Sequence, residues 1–299
     1  MRQRAIVLLN HSSHNASGDA AARVEELLRD APLDAAIERL SGNRLLDAAV
    51  SAAKTGTEML VAAGGDGTVS AVASVAVRHG AVLGVLPLGT MNHFARDAGI
   101  PLDPEAAVAT LTCGRIVSVD VGDVNGRTFV NNSSIGLYPR LLWEREQHRR
   151  QGRRKWTAFA LAALRLWREF RRIHVAIEGR GYRRSVRSPF VFVGNNRYAI
   201  DGGRIDARSS LGAGVLQLCM APDADRLRLM QMVLAAMVGR LGRIAGFESV
   251  LTPELTMTAS SPRLGVSLDG ELTVLEPPLR YAIRRQALRV LVPARQEAG

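Results

Sequence analysis

Short apolar runs alternate with amphipathic stretches over the first part of the chain. Four runs have the length and composition of buried strands, at residues 5–9, 35–40, 59–63 and 82–86. Three stretches between them carry apolar residues at helical spacing, at residues 19–29, 44–54 and 69–77. Strands that alternate with helices form parallel sheets with right-handed crossovers. The pattern therefore predicts an α/β domain.

The pattern changes at residue 116, where strands begin to follow one another without helices. Asn125 and Gly126 lie between two β-rich runs, which is a strong hairpin signal. Further strands are predicted at residues 173–193, 214–220, 255–259, 264–268 and 287–292, with a turn at 194–196 and one helix at 226–244. We expect two domains, residues 1–121 and a β-rich domain at 122–286, with the strand in 287–299 able to rejoin the first.

Two of the predicted strands are each followed by a glycine-rich turn and then by the start of a helix. GGDGT at 64–68 follows the strand at 59–63, and PLGTMN at 87–92 follows the strand at 82–86. Glycines let the backbone approach a ligand, and the first N–H groups of a helix lack partners, so each turn suits a phosphate. Turns after neighbouring parallel strands meet at one sheet edge, where such folds bind ligands. The first turn alone could instead be a simple glycine turn, with Asp66 or Thr68 capping the helix.

Asp66 places a carboxylate inside a predicted phosphate site. This charge would repel a phosphate unless a cation lay between the two groups. A nucleotide bound with Mg²⁺ supplies that cation. The turn therefore predicts a Mg²⁺–nucleotide site.

Four motifs together carry a resemblance that covers nearly the whole chain. They are GGDGT at 64–68, PLGTMNHFAR at 87–96, VNNSSIG at 130–136 after the Asp120 strand, and LDGE at 268–271. With these motifs the chain resembles the diacylglycerol kinase catalytic-domain family, which includes bacterial lipid kinases, sphingosine kinases and ceramide kinases and is distantly related to NAD kinases. The resemblance implies an NAD-kinase-like parallel-sheet domain, a sandwich-like second domain, and an active site in the cleft between them.

The resemblance also implies roles for individual residues. Asp66 and Asp120 would help to hold Mg²⁺, Asp120 through a water molecule. The alternative for Asp120 is an outward-facing residue on an edge strand. Glu271 would be the general base, unless LDGE is a plain Asp-Gly turn with two exposed acids. Asp66 and Glu271 are thus the implied catalytic residues. The implied ATP-binding residues are Asn10, Ser12, Ser13, Gly64, Gly65, Asp66, Gly67, Thr68, Gly89, Thr90 and Asn92.

Two positions in the predicted nucleotide-binding turns depart from the family pattern. His11 stands where a proline is usual, and His93 replaces an aspartate that joins a water and Mg²⁺ network, unless it is simply a polar residue at a helix N-terminus. Because of these departures, a non-catalytic nucleotide- or lipid-binding protein is an alternative hypothesis. The intact Asp66 and Glu271 argue against it. An NAD kinase would share GGDGT, but it normally carries an Asn-Glu pair near where this chain reads VNNSS at 130–134.

The formal net charge of +11 is concentrated in one segment. Residues 140–172 contain eleven Lys and Arg against three Glu, together with all three tryptophans. Trp156, Phe159, Trp167 and Phe170 follow helical spacing, which predicts either an interfacial helix on anionic lipid or a core-packing helix with a basic rim. No nucleic-acid-binding motif accompanies this charge.

Cysteine use and hydropathy indicate the compartment. Cys113 and Cys219 lie in apolar contexts without metal-ligand spacing, which predicts a reducing compartment and no structural zinc. No apolar run approaches the length of a membrane span. The resemblance implies a lipid kinase, and together with these features it predicts a cytoplasmic protein that is peripheral to the inner face of an anionic membrane. It would use ATP and Mg²⁺ to phosphorylate the hydroxyl of a diacylglycerol-like, sphingoid or ceramide-like lipid; an oligomer is left open.

Overall fold

The computed structural model describes residues 4–11, 19–136, 170, 172–201, 204–208, 210–237 and 247–294. The chain divides into a first unit, Met1–Val121 with Arg284–Gly299, and a second unit, Gly122–Ile283. Ser12, Ser13 and the basic segment at 140–172, apart from Phe170 and Arg172, lie outside the described residues.

The first unit is a parallel sheet with helices between its strands. The strands are β1 (Arg4–Asn10), β2 (Asp34–Leu40), β3 (Met59–Gly64) and β4 (Val82–Pro87). The helices are α1 (Asp19–Asp30), α2 (Gly42–Lys54), α3 (Asp66–His79), α4 (His93–Asp97) and α5 (Pro104–Cys113). The order β2-β1-β3-β4 is parallel throughout, and Arg289 and Val290 extend it in parallel beside β4. The predicted α/β fold is confirmed.

Strands β3 and β4 are buried along their whole length. Helices α1 and α5 cover one face of the sheet, where Val24 and Leu111 belong to the same apolar cluster as Val61. A parallel strand between helical layers has no solvent-facing side, so its residues are apolar without alternation. This is why residues 59–63 and 82–86 form continuous apolar runs. Because β3 and β4 are parallel neighbours, their carboxyl ends meet at one edge.

The second unit is almost entirely antiparallel. Its strands are β5 (Arg115–Val124), β6 (Arg127–Phe129), β7 (Asn132–Gly136), β8 (Ile173–Gly179), β9 (Tyr182–Ser188), β10 (Phe190–Asn195), β11 (Tyr198–Asp201), β12 (Arg204–Arg208), β13 (Leu216–Met220), β14 (Glu248–Thr252), β15 (Glu254–Ala259), β16 (Leu264–Leu268), β17 (Glu271–Leu275) and β18 (Leu279–Val292). Its described helix is α6 (Arg226–Met237). Strand β5 begins in the first unit, and β18 ends there.

Two antiparallel layers form the core of the second unit. One has the order β14-β13-β10-β7-β16-β17. The other contains β15, β8 and β9 with the first residues of β18. Val191 and Val266 of the first layer share one buried cluster with Ile177 and Met257 of the second. Two sheets packed through alternate inward residues make a β-sandwich, so the predicted second fold is confirmed as well.

The structure corrects several predicted elements. The Asn125–Gly126 hairpin is confirmed, since both residues have positive φ and Val124 pairs with Arg127. The turn predicted at 194–196 is wrong in part, because Gly194 and Asn195 complete β10. The sequence patterns do not predict strands β7 and β17, because β7 is polar and most of β17 is not buried. Residues 238–246 of the predicted helix lie outside the described residues.

Among the described residues, no helix combines the length and the apolarity needed to cross a membrane.

Candidate functional site

Three loops meet at the carboxyl edge of the first unit's sheet. Strands β1, β3 and β4 are parallel neighbours, so the loops that follow them leave from the same side. The Asn10 Nδ2 group donates a hydrogen bond to Thr68 Oγ1 at 3.0 Å. The Leu88 N–H donates to the carbonyl oxygen of Gly64 at 2.9 Å. The fold thus brings together predicted residues that lie far apart in the sequence.

The two glycine turns touch through their backbones. A Cβ added to Gly89 would lie 2.4 Å from the Cα of Gly65, a distance that no side chain can occupy. A Cβ on Gly64 would lie 2.4 Å from Thr68 Oγ1. Glycine at these positions therefore lets the turns pack together, because any side chain would force them apart.

The N-terminus of α3 lies directly at this edge, because α3 begins two residues after β3 ends. The N-cap is Gly65, which has no side chain, and the helix start has no side-chain cap. Asp66, Gly67 and Thr68 form the first turn, so capping by Asp66 or Thr68 is wrong as an account of the motif. The first N–H groups of a helix and its dipole attract anions. This donor set fits the phosphates of a nucleotide.

Asp66 is half-buried beside the second turn. Its Oδ1 accepts a hydrogen bond from the N–H of Phe94 at 3.3 Å, which is a long and weak contact. A carboxylate has about four acceptor sites. Asp66 therefore keeps acceptor capacity for a metal ion or its water ligands while it helps to hold the second turn.

The second turn is shaped by Asn92. Its Oδ1 accepts from the Gly89 N–H at 3.0 Å, and its Nδ2 donates to the Gly89 carbonyl at 2.8 Å. Asn92 has a φ of 51° and is buried, whereas Thr90 is exposed at the tip. The Asn92 amide thus closes the turn and leaves Thr90 exposed at its tip. His93 is the first residue of α4.

Asp120 lies within β5 and is only 1% exposed. Its Oδ1 accepts from the backbone N–H of Gln286 at 2.8 Å, where Gln286 has a φ of 50°. The alternative of an outward-facing residue on an edge strand is therefore wrong.

The described residues contain no group of three or more His, Cys, Asp or Glu side chains that could hold a metal ion. Mg²⁺ in kinases is commonly bound by one or two carboxylates together with substrate phosphates and water. Asp66, with spare acceptor sites beside the N-terminus of α3, fits that limited role. A site built from protein ligands alone does not fit the described residues.

Glu271 is the first residue of β17, in the second unit, and is exposed. The pKa of its carboxyl is raised, first because the surrounding protein partly removes it from water and second because Asp269 is negatively charged. A general base works best when its pKa lies closer to the working pH than that of an ordinary carboxyl. The direction of the shift therefore suits the implied role.

Asp269 is a residue that the sequence reasoning missed. Its carboxylate accepts three backbone hydrogen bonds, from the N–H groups of Val130 at 2.8 Å, Asn131 at 2.7 Å and Asn132 at 2.9 Å. A plain Asp-Gly turn with two exposed acids is therefore wrong for Asp269. The Asp-Gly pair signals the turn, but no local pattern could have indicated acceptors from residues so distant in the chain.

Three buried polar groups lie on neighbouring strands of the six-stranded sheet. They are Asn132 Nδ2, Ser134 Oγ and Ser267 Oγ, and none has a hydrogen-bond partner among the described residues. Ser134 and Ser267 pair directly between β7 and β16. Their neighbours Ile135 and Val266 point into the sandwich core, so both serines face away from it. Buried polar groups are nearly always hydrogen-bonded, so these three are candidates for binding a water or a ligand group.

Comparison with known proteins identifies the family. Residues 4–124 match the model of the diacylglycerol kinase catalytic domain, and residues 143–292 match the YegS C-terminal NAD kinase beta sandwich-like domain. A Pseudomonas aeruginosa relative named "Probable lipid kinase YegS-like" is 31% identical over 289 residues, which cover 92% of this chain and 89% of the relative. The chain belongs to the diacylglycerol kinase catalytic-domain family. The predicted family is thus confirmed.

Further comparisons cover nearly the full length of the chain and agree with this family. A Pseudomonas putida relative of the same name is 28% identical over 300 residues, which cover 98% of this chain and 97% of the relative. The crystal structure of a diacylglycerol kinase from Bacillus anthracis matches with a TM-score of 0.71 at 18% identity, over 97% of each chain. At that identity the structural match shows the fold. The sequence relatives support a lipid kinase family.

Proposed function

We propose that the protein is an ATP-dependent lipid kinase that transfers the γ-phosphate to the hydroxyl of a diacylglycerol-like, sphingoid or ceramide-like lipid. The observation that carries the proposal is the contact between the two glycine turns beside the open N-terminus of α3, with Asp66 in its first turn. In this proposal residues 1–121, joined by the strand in 287–299, bind the nucleotide, and residues 122–286 bind the lipid.

The proposed chemistry gives each residue a separate task. The N–H groups of the α3 first turn and the Thr90 hydroxyl hold phosphate oxygens, while Asn10 and Asn92 fix the shapes of the loops. Asp66 and Asp120 would hold Mg²⁺, which neutralises phosphate charge when bound. As the lipid oxygen attacks the γ-phosphorus, the bond from that phosphorus to ADP breaks, and Glu271 takes the hydroxyl proton.

The acceptor lipid needs polar contacts for its head. Asn132, Ser134 and Ser267 offer an amide donor and two hydroxyls, side by side on β7 and β16 and without partners among the described residues. A lipid head with ester, amide or hydroxyl groups has the complementary donors and acceptors. We propose that these side chains bind the polar head of the lipid.

Ser134→Ala combined with Ser267→Ala should raise KM for the lipid about 30-fold, because each of the two hydrogen bonds to the substrate contributes roughly 1 kcal/mol. KM for ATP should stay unchanged. The measurement is steady-state kinetics at varied lipid concentration in mixed micelles.

Ser249→Ala is the matched control, because its hydroxyl lies on the same sheet and already accepts from Gln217 Nε2 at 3.0 Å. If the double variant kept the wild-type KM for every accepted lipid, the two serines would have no part in acceptor binding.

Membrane attachment is proposed from the sequence alone, since the basic segment at 140–172 lies outside the described residues. Replacing Arg149, Arg150, Arg153 and Arg154 by Gln should sharply reduce binding to anionic vesicles, because each basic residue near such a surface contributes about 1 kcal/mol. Binding of the wild type should fall as salt is added. Vesicle sedimentation measures both effects. Equal sedimentation of variant and wild type would place the segment against protein rather than against the cytoplasmic face of a membrane.

The experiment that tests the function uses radiolabelled ATP with Mg²⁺ and a panel of lipids. Diacylglycerol, ceramide, a sphingoid base and phosphatidylglycerol are presented separately in mixed micelles, and NAD serves as a soluble control acceptor. Label in one lipid, and none in NAD, is the expected result. Label in NAD alone would make the protein an NAD kinase, and ATP binding without transfer to any acceptor would make it a non-catalytic binding protein.

A further inference from the structure

The loop between β16 and β17 is a two-residue turn with a defined backbone. Leu268 pairs with Glu271, and the turn residues Asp269 and Gly270 have φ values of 48° and 95°. Positive φ at both central residues is the signature of the tight turn that Asp-Gly favours. The conformation of Asp269 therefore determines where the backbone of Glu271 lies relative to β16.

Asp269 fastens this turn to another strand. Its Oδ1 accepts from the N–H groups of Asn131 and Asn132, and its Oδ2 accepts from the N–H of Val130. Its own N–H donates to the carbonyl oxygen of Asn132 at 2.8 Å. Hydrogen bonds to an ionised carboxylate are about twice as strong as those between neutral groups. Four bonds from one residue therefore hold the tip of the hairpin against the start of β7.

We infer that Asp269 is the positioning residue for Glu271, holding the hairpin so that the Glu271 carboxyl meets the acceptor hydroxyl in one fixed orientation. This inference rests on the proposed role of Glu271 as the base. Without the Asp269 contacts, the tip of this hairpin would be held only by the pairing of β16 with β17. Anchoring the residue two positions earlier in the chain restrains the tip further, and reaction rates depend steeply on such alignment.

The charge of Asp269 acts on Glu271 as well. It raises the pKa of the Glu271 carboxyl, adding to the effect of partial burial. Strand β7 carries no ionisable side chain, and at the far end of the hairpin Arg263 and Glu276 pair with each other at 3.6 Å. Among the described residues, Asp269 is thus the charged group whose effect on the pKa of Glu271 is resolved. The Asp269 side chain would thus both fix the position of Glu271 and raise the pKa of the Glu271 carboxyl.

Asp269→Asn is the test, since asparagine also accepts a positive φ and keeps one acceptor oxygen. Its Nδ2 group would face the N–H of Val130, so donor would meet donor. We expect kcat to fall about 10- to 100-fold with KM for ATP unchanged. We also expect the acidic limb of the kcat profile to move to lower pH, because removing a negative charge lowers the pKa of Glu271.

Asp123→Asn is the matched control. Asp123 also accepts a backbone hydrogen bond in a hairpin of the second unit, from Gly126 at 2.9 Å, but it has no link to Glu271. Its kcat and pH profile should match the wild type. An Asp269→Asn enzyme with wild-type kcat and an unmoved acidic limb would overturn the inference, and so would a loss of kcat with an unmoved limb.

Hydrogen–deuterium exchange tests the anchoring without any activity. The amides of residues 130–132 should be protected in the wild type and exchange faster in Asp269→Asn, but not in Asp123→Asn. Equal protection in all three proteins would overturn the anchoring. A wild type that labels no lipid would instead refute the proposed function while this exchange result still stood, so the two failures are distinguishable.

Discussion

Glu271→Gln should lower turnover on the accepted lipid by about 10²- to 10⁴-fold, the usual contribution of a positioned general base. Glutamine keeps the size and polarity of the side chain but cannot take a proton from the acceptor hydroxyl. Since Glu271 is exposed at the start of β17, the change should leave folding and KM for ATP close to wild type. Initial rates at saturating ATP and lipid measure the effect.

The pH profile adds a second criterion. Because burial and Asp269 raise the pKa of Glu271, the wild-type rate should fall on acidification at a pH above the ordinary range of a glutamate. Below that pH the carboxyl is protonated and cannot act as a base. The residual rate of Glu271→Gln should lack this acidic limb. Glu254→Gln is the control, as another exposed glutamate that begins a strand of the same unit. Turnover of Glu271→Gln within a few-fold of wild type would remove the residue from this role.

Asp66→Asn should reduce kcat about 10²- to 10³-fold, the size of effect seen when one stabiliser of transition-state charge is removed. The Mg²⁺ concentration that gives half-maximal rate should rise, because the site loses a negative charge directed at the metal. Asparagine still offers an oxygen to the Phe94 N–H, so the turn is retained. Rates at varied Mg²⁺ and fixed ATP provide the measurement.

Stability provides the control for Asp66. An acidic residue in the first turn of a helix contributes about 0.3–1 kcal/mol through the helix dipole, so the melting temperature should fall by only a few degrees. Glu105→Gln removes a first-turn acid from α5 in the same unit and should show a similar small loss of stability with normal kinetics. An unchanged Mg²⁺ dependence in Asp66→Asn would count against metal binding by this carboxylate.

The first unit could be predicted closely because its information is local. Each buried strand is an uninterrupted apolar run, helices α1, α2 and α3 each have a 3.6-residue pattern, and each glycine turn follows a strand directly. The positions of Gly64 to Thr68 and of Gly89 to Asn92 follow from this pattern, because carboxyl ends of parallel neighbours share one edge. What the pattern could not supply was the contact between Gly65 and Gly89, which depends on how two turns pack.

The second unit was harder to predict, since its strands pair over long separations. Strand β7 reads as a polar turn, and it becomes a central strand only because β10 and β16 supply its hydrogen bonds. Strand β17 is short, with Leu272 and Val274 exposed, so its pattern does not show a buried face. β-propensity reflects such partners more than the residues themselves.

The sequence by itself determined the two fold classes, the glycine turns that open helices, the Asn125–Gly126 hairpin and the identity of the family. Those features depend on residues only a few positions apart, where chain geometry allows only a few conformations. Only the tertiary structure decided that Asp120 is buried against Gln286 and that Asp269 binds the N–H groups of residues 130–132. Both contacts join segments more than 130 positions apart, and a carboxylate in the sequence gives no sign of which distant backbone will donate to it.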